Sequence, residues 1–300
     1  MLQNEYTCEI ITPLVAKGAD KSILELRASA LKGVMRFWWR ALHGHLSFEE
    51  LRKREGELFG ESGMSQSPLT VRVWSIFPSG ETYLLPHKKQ VRTRSYKCGQ
   101  SFKVVLKARK HLELYDRLFK IVVLLGGWGM RSRRGFGSIT IRKINGNPYA
   151  LPSDLLGIKC LLDDFYDKSG IARPMIDVRE SAIVVSSNRD NRFPYISSNR
   201  DNRFPYIKMI EVGDVWTNAD SLLQRIAQSA SDHNHEHKRI AKSGRRFASP
   251  IVVSVIEDHS CQVNRSGRLR PIITTLNSVP PFSLKGEVDQ FQAFKEAILT

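Results

Sequence analysis

Residues 31–40 read Leu31-Lys32-Gly33-Val34-Met35-Arg36-Phe37-Trp38-Trp39-Arg40, and this run decides the first helix of the fold. At about 100° per residue, its large apolar side chains fall on one broad face. Cations fall on the opposite face at helical spacing: Lys32, Arg36, Arg40 and then His43. Because a core helix needs only the apolar face, we interpret the cations as an anion-binding surface. Trp39 lies at the boundary between the two faces, beside the cations, and is the aromatic that we expect to be exposed. An exposed aromatic beside cations is typical of proteins that bind single-stranded nucleic acid.

The segments around this helix predict a β-α-β-β-α-β order over the first 145 residues. Strands are predicted at 5–15, 69–77, within the basic segment 91–107 and at 138–144, and the two main helices at 29–43 and 111–125. A short extra helix follows the opening one, since Ser47-Phe48-Glu49-Glu50 is a capping box. Ser29 is the predicted N-cap of the opening helix, and Gly44 ends it. This order is the ferredoxin-like plan.

A glycine-rich loop joins the second main helix to the fourth strand. It reads GGWGMRSRRGFG from 126 to 137 and lacks the third glycine and the following helix of a dinucleotide-binding motif. Guanidinium groups match phosphate oxygens, and glycines let a phosphate chain approach the backbone closely. We therefore predict an RNA contact by this loop through Gly129, Arg131, Ser132, Arg133, Arg134 and Gly135.

The second half of the chain predicts a further α+β domain. Helices are predicted at 152–166, 218–230 and 288–299, and strands at 181–186, 207–212 and 248–256. We place the two domains at 1–146 and 147–300. Residues 186–196 (SSNRDNRFPYI) are repeated without change as 197–207, which a duplication within an exposed loop explains. A doubled RNA contact by its arginines and aromatics is the alternative interpretation.

The charge of the chain favours polyanionic partners. Its 46 Lys and Arg residues exceed its 30 Asp and Glu residues, which gives a net charge of +16. Nine cations and no acid lie between residues 88 and 110, with Tyr96 and Phe102 among them. This segment is either a solvated hairpin or an extension of a track that follows phosphates.

Several other classes of protein are disfavoured. No apolar run approaches the roughly 20 residues of a membrane span, and the N-terminus lacks the pattern of a secretory signal. The four cysteines are far apart, which indicates reduced thiols in the cytoplasm and argues against structural zinc. No cofactor or metal is expected, because the sequence around His233, His235 and His237 is typical of a polar loop. His43 and His45 could act as general acid or base on RNA, yet neither has an evident partner.

A set of motifs resembles the RAMP proteins of type III-B CRISPR (Cmr) effector complexes, most closely the family of the first-numbered Cmr subunit. In chain order they are Ile11-Thr12-Pro13-Leu14, Gly18-Ala19-Asp20, Glu25-Leu26-Arg27, the Phe37-Trp38-Trp39-Arg40 helix core, Glu57-Leu58-Phe59-Gly60, the arginine loop at 131–137 and Arg246-Phe247-Ala248-Ser249-Pro250. The resemblance is strong over residues 8–144 and weak beyond. The Val15-Ala16-Lys17 turn and the duplication depart from the family's pattern.

The resemblance implies two ferredoxin-like domains, no established catalytic site and a place near the 3′ end of a guide RNA, where the subunit helps capture target RNA in antiviral defence. The implied partners are CRISPR RNA, target single-stranded RNA and other Cmr subunits, without a membrane. On the opening helix, the predicted RNA-binding residues are Lys32, Gly33, Arg36, Trp39 and Arg40. Two alternatives stay open: a metal-independent endoribonuclease, and a structural scaffold whose Trp-rich helix packs on another subunit.

Overall fold

The computed structural model describes residues 1–20, 23–61, 63–75, 78–186, 204–233, 249–259, 267–277 and 288–300. The helices in these ranges are α1 (Ala28–Leu42), α2 (Phe48–Phe59), α3 (Leu112–Leu125), α4 (Leu155–Ser169), α5 (Ala219–Asp232) and α6 (Val288–Leu299). The strands are β1 (Leu2–Ile10), β2 (Leu69–Trp74), β3 (Gly80–Leu85), β4 (Gln90–Ser95), β5 (Ser101–Ala108), β6 (Ile139–Ile144), β7 (Asn147–Pro148), β8 (Met175–Arg179), β9 (Ala182–Ser186), β10 (Tyr206–Val212), β11 (Ile251–Glu257) and β12 (Leu269–Asn277).

The first sheet confirms the ferredoxin-like plan. Its strand order is β2-β5-β1-β6-β7, and all of its pairs are antiparallel. Taken as the four strands of the plan, β1, β2, β5 and β6 give the order 4-1-3-2 with α1 and α3 as the two main helices. The basic segment predicted at 91–107 divides into β4 and β5, and β4 pairs with β3 in a separate hairpin.

The second sheet is also ferredoxin-like, with one strand displaced in the chain. Its order is β11-β12-β10-β9-β8. Helix α5 connects β10 to β11, and α6 follows β12. In this plan the fourth strand pairs with the first. Here β9 takes that place beside β10, although it precedes β10 in the chain. Strand β12 was not predicted, because Pro271 interrupts its β-pattern. Pro271 is tolerated because the pairing of β10 with β12 ends at Val212, and Pro271 lies outside that ladder.

Helix ends test the local predictions. Ser47 caps α2 as predicted, since its hydroxyl accepts the N–H of Glu50 at 3.2 Å, and Gly60 ends that helix with φ 81°. The prediction of Ser29 as the cap of α1 is wrong. The helix begins at Ala28 after Arg27, whose side chain makes no capping hydrogen bond. Gly44 follows the C-cap, His43, as predicted.

The main hydrophobic core lies between the two sheets. Helix α3 packs on β1, β5 and β6 on one side and on β11 and β12 on the other. The Ser254 hydroxyl of β11 donates to the Leu124 carbonyl at 2.7 Å. A second core lies on the outer face of the second sheet, under α5 and α6. The domain boundary at 146/147 therefore stays a prediction, because buried side chains from both sides of it share one cluster.

The helices in the described ranges are all too short or too polar to cross a lipid bilayer. The far face of the first sheet carries exposed side chains, including Arg72, Trp74, Lys103 and Lys143. In the same described part of the chain, no three His, Cys, Asp or Glu side chains converge as metal ligands would.

Candidate nucleic-acid interface

One face of α1 carries the predicted cations at the surface. Lys32, Arg36 and Arg40 are half-buried along it, and Gly33 between them is exposed. No described atom outside the helix's own turn lies within 4 Å of the position where a Cβ of Gly33 would be. Phe37 follows one turn after Gly33 and is half-buried. The face therefore offers cations, an aromatic ring and a stretch of open helix backbone.

The prediction that Trp39 is the exposed aromatic is wrong. Trp39 is 0% exposed, and its ring lies 4.4 Å from that of His43. Trp38 is buried as well, as predicted. More of the helix surface is buried than its apolar face predicts, because α2, α3 and β10 all pack on it. The surface aromatic is Phe37, whose ring centroid lies 5.2 Å from the guanidinium carbon of Arg133.

A single carboxylate from α2 binds two of the α1 cations. Glu55 Oε1 accepts from Arg36 Nε at 2.6 Å and from Arg40 Nη1 at 2.7 Å. Lys32 Nζ donates to the Leu69 carbonyl at 3.4 Å. Burial, with repulsion from Arg36 as a smaller cause, lowers the pKa of Lys32. Glu55 thus holds the arginines in place while neutralising part of their charge.

The glycine-rich loop is held by the rest of the protein. The Met130 N–H donates to the Val15 carbonyl at 2.8 Å, and the Gly135 N–H to the Val253 carbonyl at 2.8 Å. The RNA contact of Gly129 and Gly135 stays a prediction, but internal packing already requires glycine at both positions. A Cβ at Gly129 would lie 2.4 Å from the Val15 carbonyl oxygen, and one at Gly135 3.0 Å from Ile226 and Leu223. Both have positive φ, so glycine is needed there for internal packing.

The three loop arginines differ in what they contact. Arg133 Nη1 donates to the Ser249 carbonyl at 2.5 Å. Arg134 Nη1 donates to the Ile251 carbonyl at 3.1 Å, and its guanidinium lies 5.3 Å from the Phe294 ring. Arg134 therefore joins the loop to the second sheet. A phosphate contact through its remaining N–H groups stays a prediction. Arg131 has φ 57°, an uncommon backbone conformation for a side chain of this size.

The loop arginines carry charge that no carboxylate in the described part of the chain balances. Among the described residues, Arg131, Arg133 and Arg134 form no ion pair, and Arg131 Nε has no hydrogen-bond partner. Burial lowers the pKa of Arg131 and Arg133, and burial with repulsion from these two lowers the pKa of Arg134 to about 10. Half-buried cations that repel one another are stabilised when an anion approaches. Ser132 lies between them, half-buried.

The histidines are poorly placed for catalysis on an external strand. The His43 side chain is buried, and its Nδ1–H donates to the Trp39 carbonyl at 2.7 Å. Burial lowers the pKa of His43 to about 3. His45 is half-buried and lies beside Tyr166. Of the three histidines in the predicted polar loop, His235 and His237 lie outside the described residues.

The cations of residues 88–110 do not form one track. Arg92 is ion-paired with Glu81 within the β3–β4 hairpin. Lys103 lies on the far face of the first sheet, ion-paired with Glu5 at 2.7 Å. Arg109 and Lys110 are exposed before α3. The segment is thus spread over a hairpin, a sheet face and a loop, and an extension of the phosphate track by its cations stays a prediction.

These elements match a known family. The family model of the RAMP superfamily matches residues 7–140, from β1 through the arginine loop to β6. Two CRISPR system Cmr subunits of Pyrococcus furiosus are similar to the chain. Cmr1-2 is 26% identical over 182 residues, which are 48% of this chain and 97% of that protein. Cmr1-1 is 30% identical over 162 residues, 47% of this chain and 48% of that protein.

Solved structures extend the likeness beyond residues 7–140. The crystal structure of apo Cmr1 from Pyrococcus furiosus has a TM-score of 0.64 at 18% identity, covering 99% of this chain and 96% of that one. A chain of the type III-B Cmr-beta complex bound to cognate target RNA has a TM-score of 0.61 at 12% identity, covering 99% of both chains. Both structures thus share the fold of the described part of this chain, including its second sheet.

Three contributors to the interface were missed from sequence. Phe37 follows the exposed Gly33 by four residues, and that spacing could have placed both on one face. Glu55 and Phe204 reach α1 from other elements, and no local pattern indicates either contact. The candidate phosphate-binding side chains on α1 remain Lys32, Arg36 and Arg40. Those on the glycine-rich loop remain Arg131 and Arg133.

Proposed function

We propose that this chain is a non-catalytic, RNA-binding subunit of a type III-B CRISPR (Cmr) effector complex in the cytoplasm. It binds the backbone of single-stranded guide or target RNA near the guide 3′ end and supports target capture in antiviral defence. Other Cmr subunits and the two RNAs are its partners. The similarity to Cmr1 subunits and to a chain of a Cmr complex that was solved with target RNA supports this assignment.

The observation that carries the proposal is the unbalanced charge beside α1. Six cationic side chains lie on the α1 face and the loop, and among the described residues Glu55 is the carboxylate that pairs with them. Arg133 lies over Phe37, so the loop and the helix form one surface. Phosphates would relieve the repulsion between the loop arginines, and forked guanidinium donors match phosphate oxygens.

Removing the loop charges should weaken RNA binding and flatten its salt dependence. If about five phosphates are neutralised, the log–log salt slope for single-stranded RNA is about −3.5, and losing two contacts brings it to about −2.1. The variant is Arg131→Gln/Arg133→Gln, because glutamine removes the charge and keeps a polar side chain with a hydrogen-bond donor. Fluorescence anisotropy of a labelled oligoribonucleotide over a salt series measures both quantities.

The matched control is Arg72→Gln/Lys143→Gln, which removes equal charge from the far sheet face. It should leave both affinity and slope close to those of the native chain. Equal losses in both variants would indicate general charge attraction and would count against the interface. The same mixtures, held in EDTA and run on a denaturing gel, should contain intact RNA. Accumulating fragments that disappear in a His45→Ala variant would instead favour the endoribonuclease.

A further inference from the structure

The second copy of the duplicated segment ends at the α1 face. Phe204, its eighth residue, lies with its ring centroid 4.8 Å from the guanidinium carbon of Arg40. Its ring is nearly parallel to that of Phe48 at the start of α2, with 7° between the planes and 6.2 Å between the centroids. Two aromatic rings thus lie beside cations of the candidate surface: Phe204 beside Arg40 and Phe37 beside Arg133.

The position of Phe204 is fixed by the strand that follows it. Tyr206 begins β10, and its ring fills the space beside Gly44, where a Cβ would lie 2.1 Å from the Tyr206 Cβ. The Asn277 amide of β12 donates a hydrogen bond to the Tyr206 hydroxyl. Since Phe204 is two residues before this anchor, its contact with Arg40 belongs to the folded arrangement of the second sheet on α1.

Phe204 keeps a large exposed surface in this place. Its side chain is 42% exposed, although α1, α2 and Arg40 all lie near it. Large aromatic rings normally bury most of their area, and each face left in water is available for stacking. Arg40 beneath the ring is bound to Glu55 through Nη1, which leaves its other N–H groups for a phosphate. Aromatic rings beside cations are the arrangement on which proteins stack bases of single strands.

We propose that Phe204 stacks on a base of the single-stranded RNA whose phosphates bind the α1 face. This inference rests on the proposed function and names a contact made by the duplicated segment. The alternative is that Phe204 acts only by holding the Arg40 side chain through their cation–π contact. The two differ in what they require of the RNA, because stacking needs a base and Arg40 needs only a phosphate.

The test compares Phe204→Ala with the native chain on two ligands, an oligoribonucleotide and a backbone of the same length without bases. We expect Phe204→Ala to bind the oligoribonucleotide about 5- to 150-fold more weakly, with an unchanged salt slope. On the abasic backbone its affinity should equal that of the native chain. Phe204→Leu keeps apolar packing without an aromatic face and should resemble Phe204→Ala, whereas Phe204→Trp should restore affinity. Circular dichroism verifies the fold of each variant.

Trp74→Ala is the matched control, because Trp74 is 50% exposed on the far face of the first sheet and should not affect either ligand. An equal loss of affinity on both ligands, or recovery in Phe204→Leu, would overturn stacking. Native affinity in Phe204→Ala would also overturn it, while weak binding by Arg131→Gln/Arg133→Gln would leave the proposed function intact. A native chain that binds neither ligand would refute the proposed function itself.

Discussion

Gly33 is the exposed point of the α1 face, with open space where its Cβ would be. A glycine inside a helix lowers stability by about 0.5–1 kcal/mol relative to alanine, and no described neighbour needs it to be small. We infer that its small size serves the approach of the RNA backbone.

Gly33→Ala should therefore separate stability from binding. The free energy of unfolding in urea should rise by about 0.5–1 kcal/mol, because alanine is the better helix former. RNA affinity should fall, since the new methyl group faces the bound strand. The comparison with Gly56→Ala on α2, at a helical glycine away from the α1 face, shows whether the binding loss is local. Unchanged RNA affinity in Gly33→Ala would contradict a close backbone approach at this point.

At this scale the sequence predicted the types of residue in the interface better than their exposure. The charges at Lys32, Arg36 and Arg40 are at the surface as the helical pattern predicts. Trp39 is buried although it was predicted to be exposed, and Phe37, which the pattern placed on the apolar face, is only half-buried, because both lie near the boundary of that face. Which boundary residue is covered depends on the elements packed beside α1, and the local pattern does not contain that information.

At the scale of elements, α2 sets the charge of the α1 face. Glu55 of α2 is 7% exposed and binds both Arg36 and Arg40. A buried carboxylate between two arginines orients them and also competes with any phosphate for the same N–H groups. If RNA binds this face as proposed, Glu55 should therefore limit its affinity.

Glu55→Gln should raise RNA affinity and lower stability. The amide keeps a hydrogen-bond acceptor but removes the negative charge, so one further phosphate can bind and the salt slope should become steeper by about 0.7. Stability should fall by about 1 kcal/mol as the arginines lose their counter-charge. Glu61→Gln removes an exposed carboxylate paired with Arg52 and is the charge-matched control. Tighter binding in both variants would show that overall charge, and not Glu55, limits affinity.

At the scale of the molecule, the two halves share one core. Helix α3 is buried on nearly all sides between the sheets, and Arg142 of β6 binds Glu9 of β1 and Glu257 of β11. The loop arginines add hydrogen bonds to the backbone around β11. The interface is thus assembled partly by the second half, although the RAMP match ends at residue 140.

Residues 1–146 alone should therefore fail to form the native state. Removing the second half would expose the side of α3 that packs on β11 and β12 and would release Arg133 and Arg134 from their carbonyl partners. We expect a weak near-ultraviolet circular dichroism signal and a broad thermal transition, against a cooperative one for the full chain. A sharp transition in the fragment would instead confirm the predicted domain boundary at 146/147.

The sequence by itself determined the order of strands and helices in the first half, the capping of α2, the basic character of α1 and the resemblance to RAMP proteins. These follow from periodicity and local chemistry, which act between residues close in the chain. Only the tertiary structure decided that Trp39 is buried and Phe37 half-buried at the surface, that Gly129 and Gly135 serve internal packing, and that Glu55 and Phe204 reach α1. Each of these depends on contacts between residues far apart in the chain, so exposure and charge balance are set by the neighbours that folding supplies.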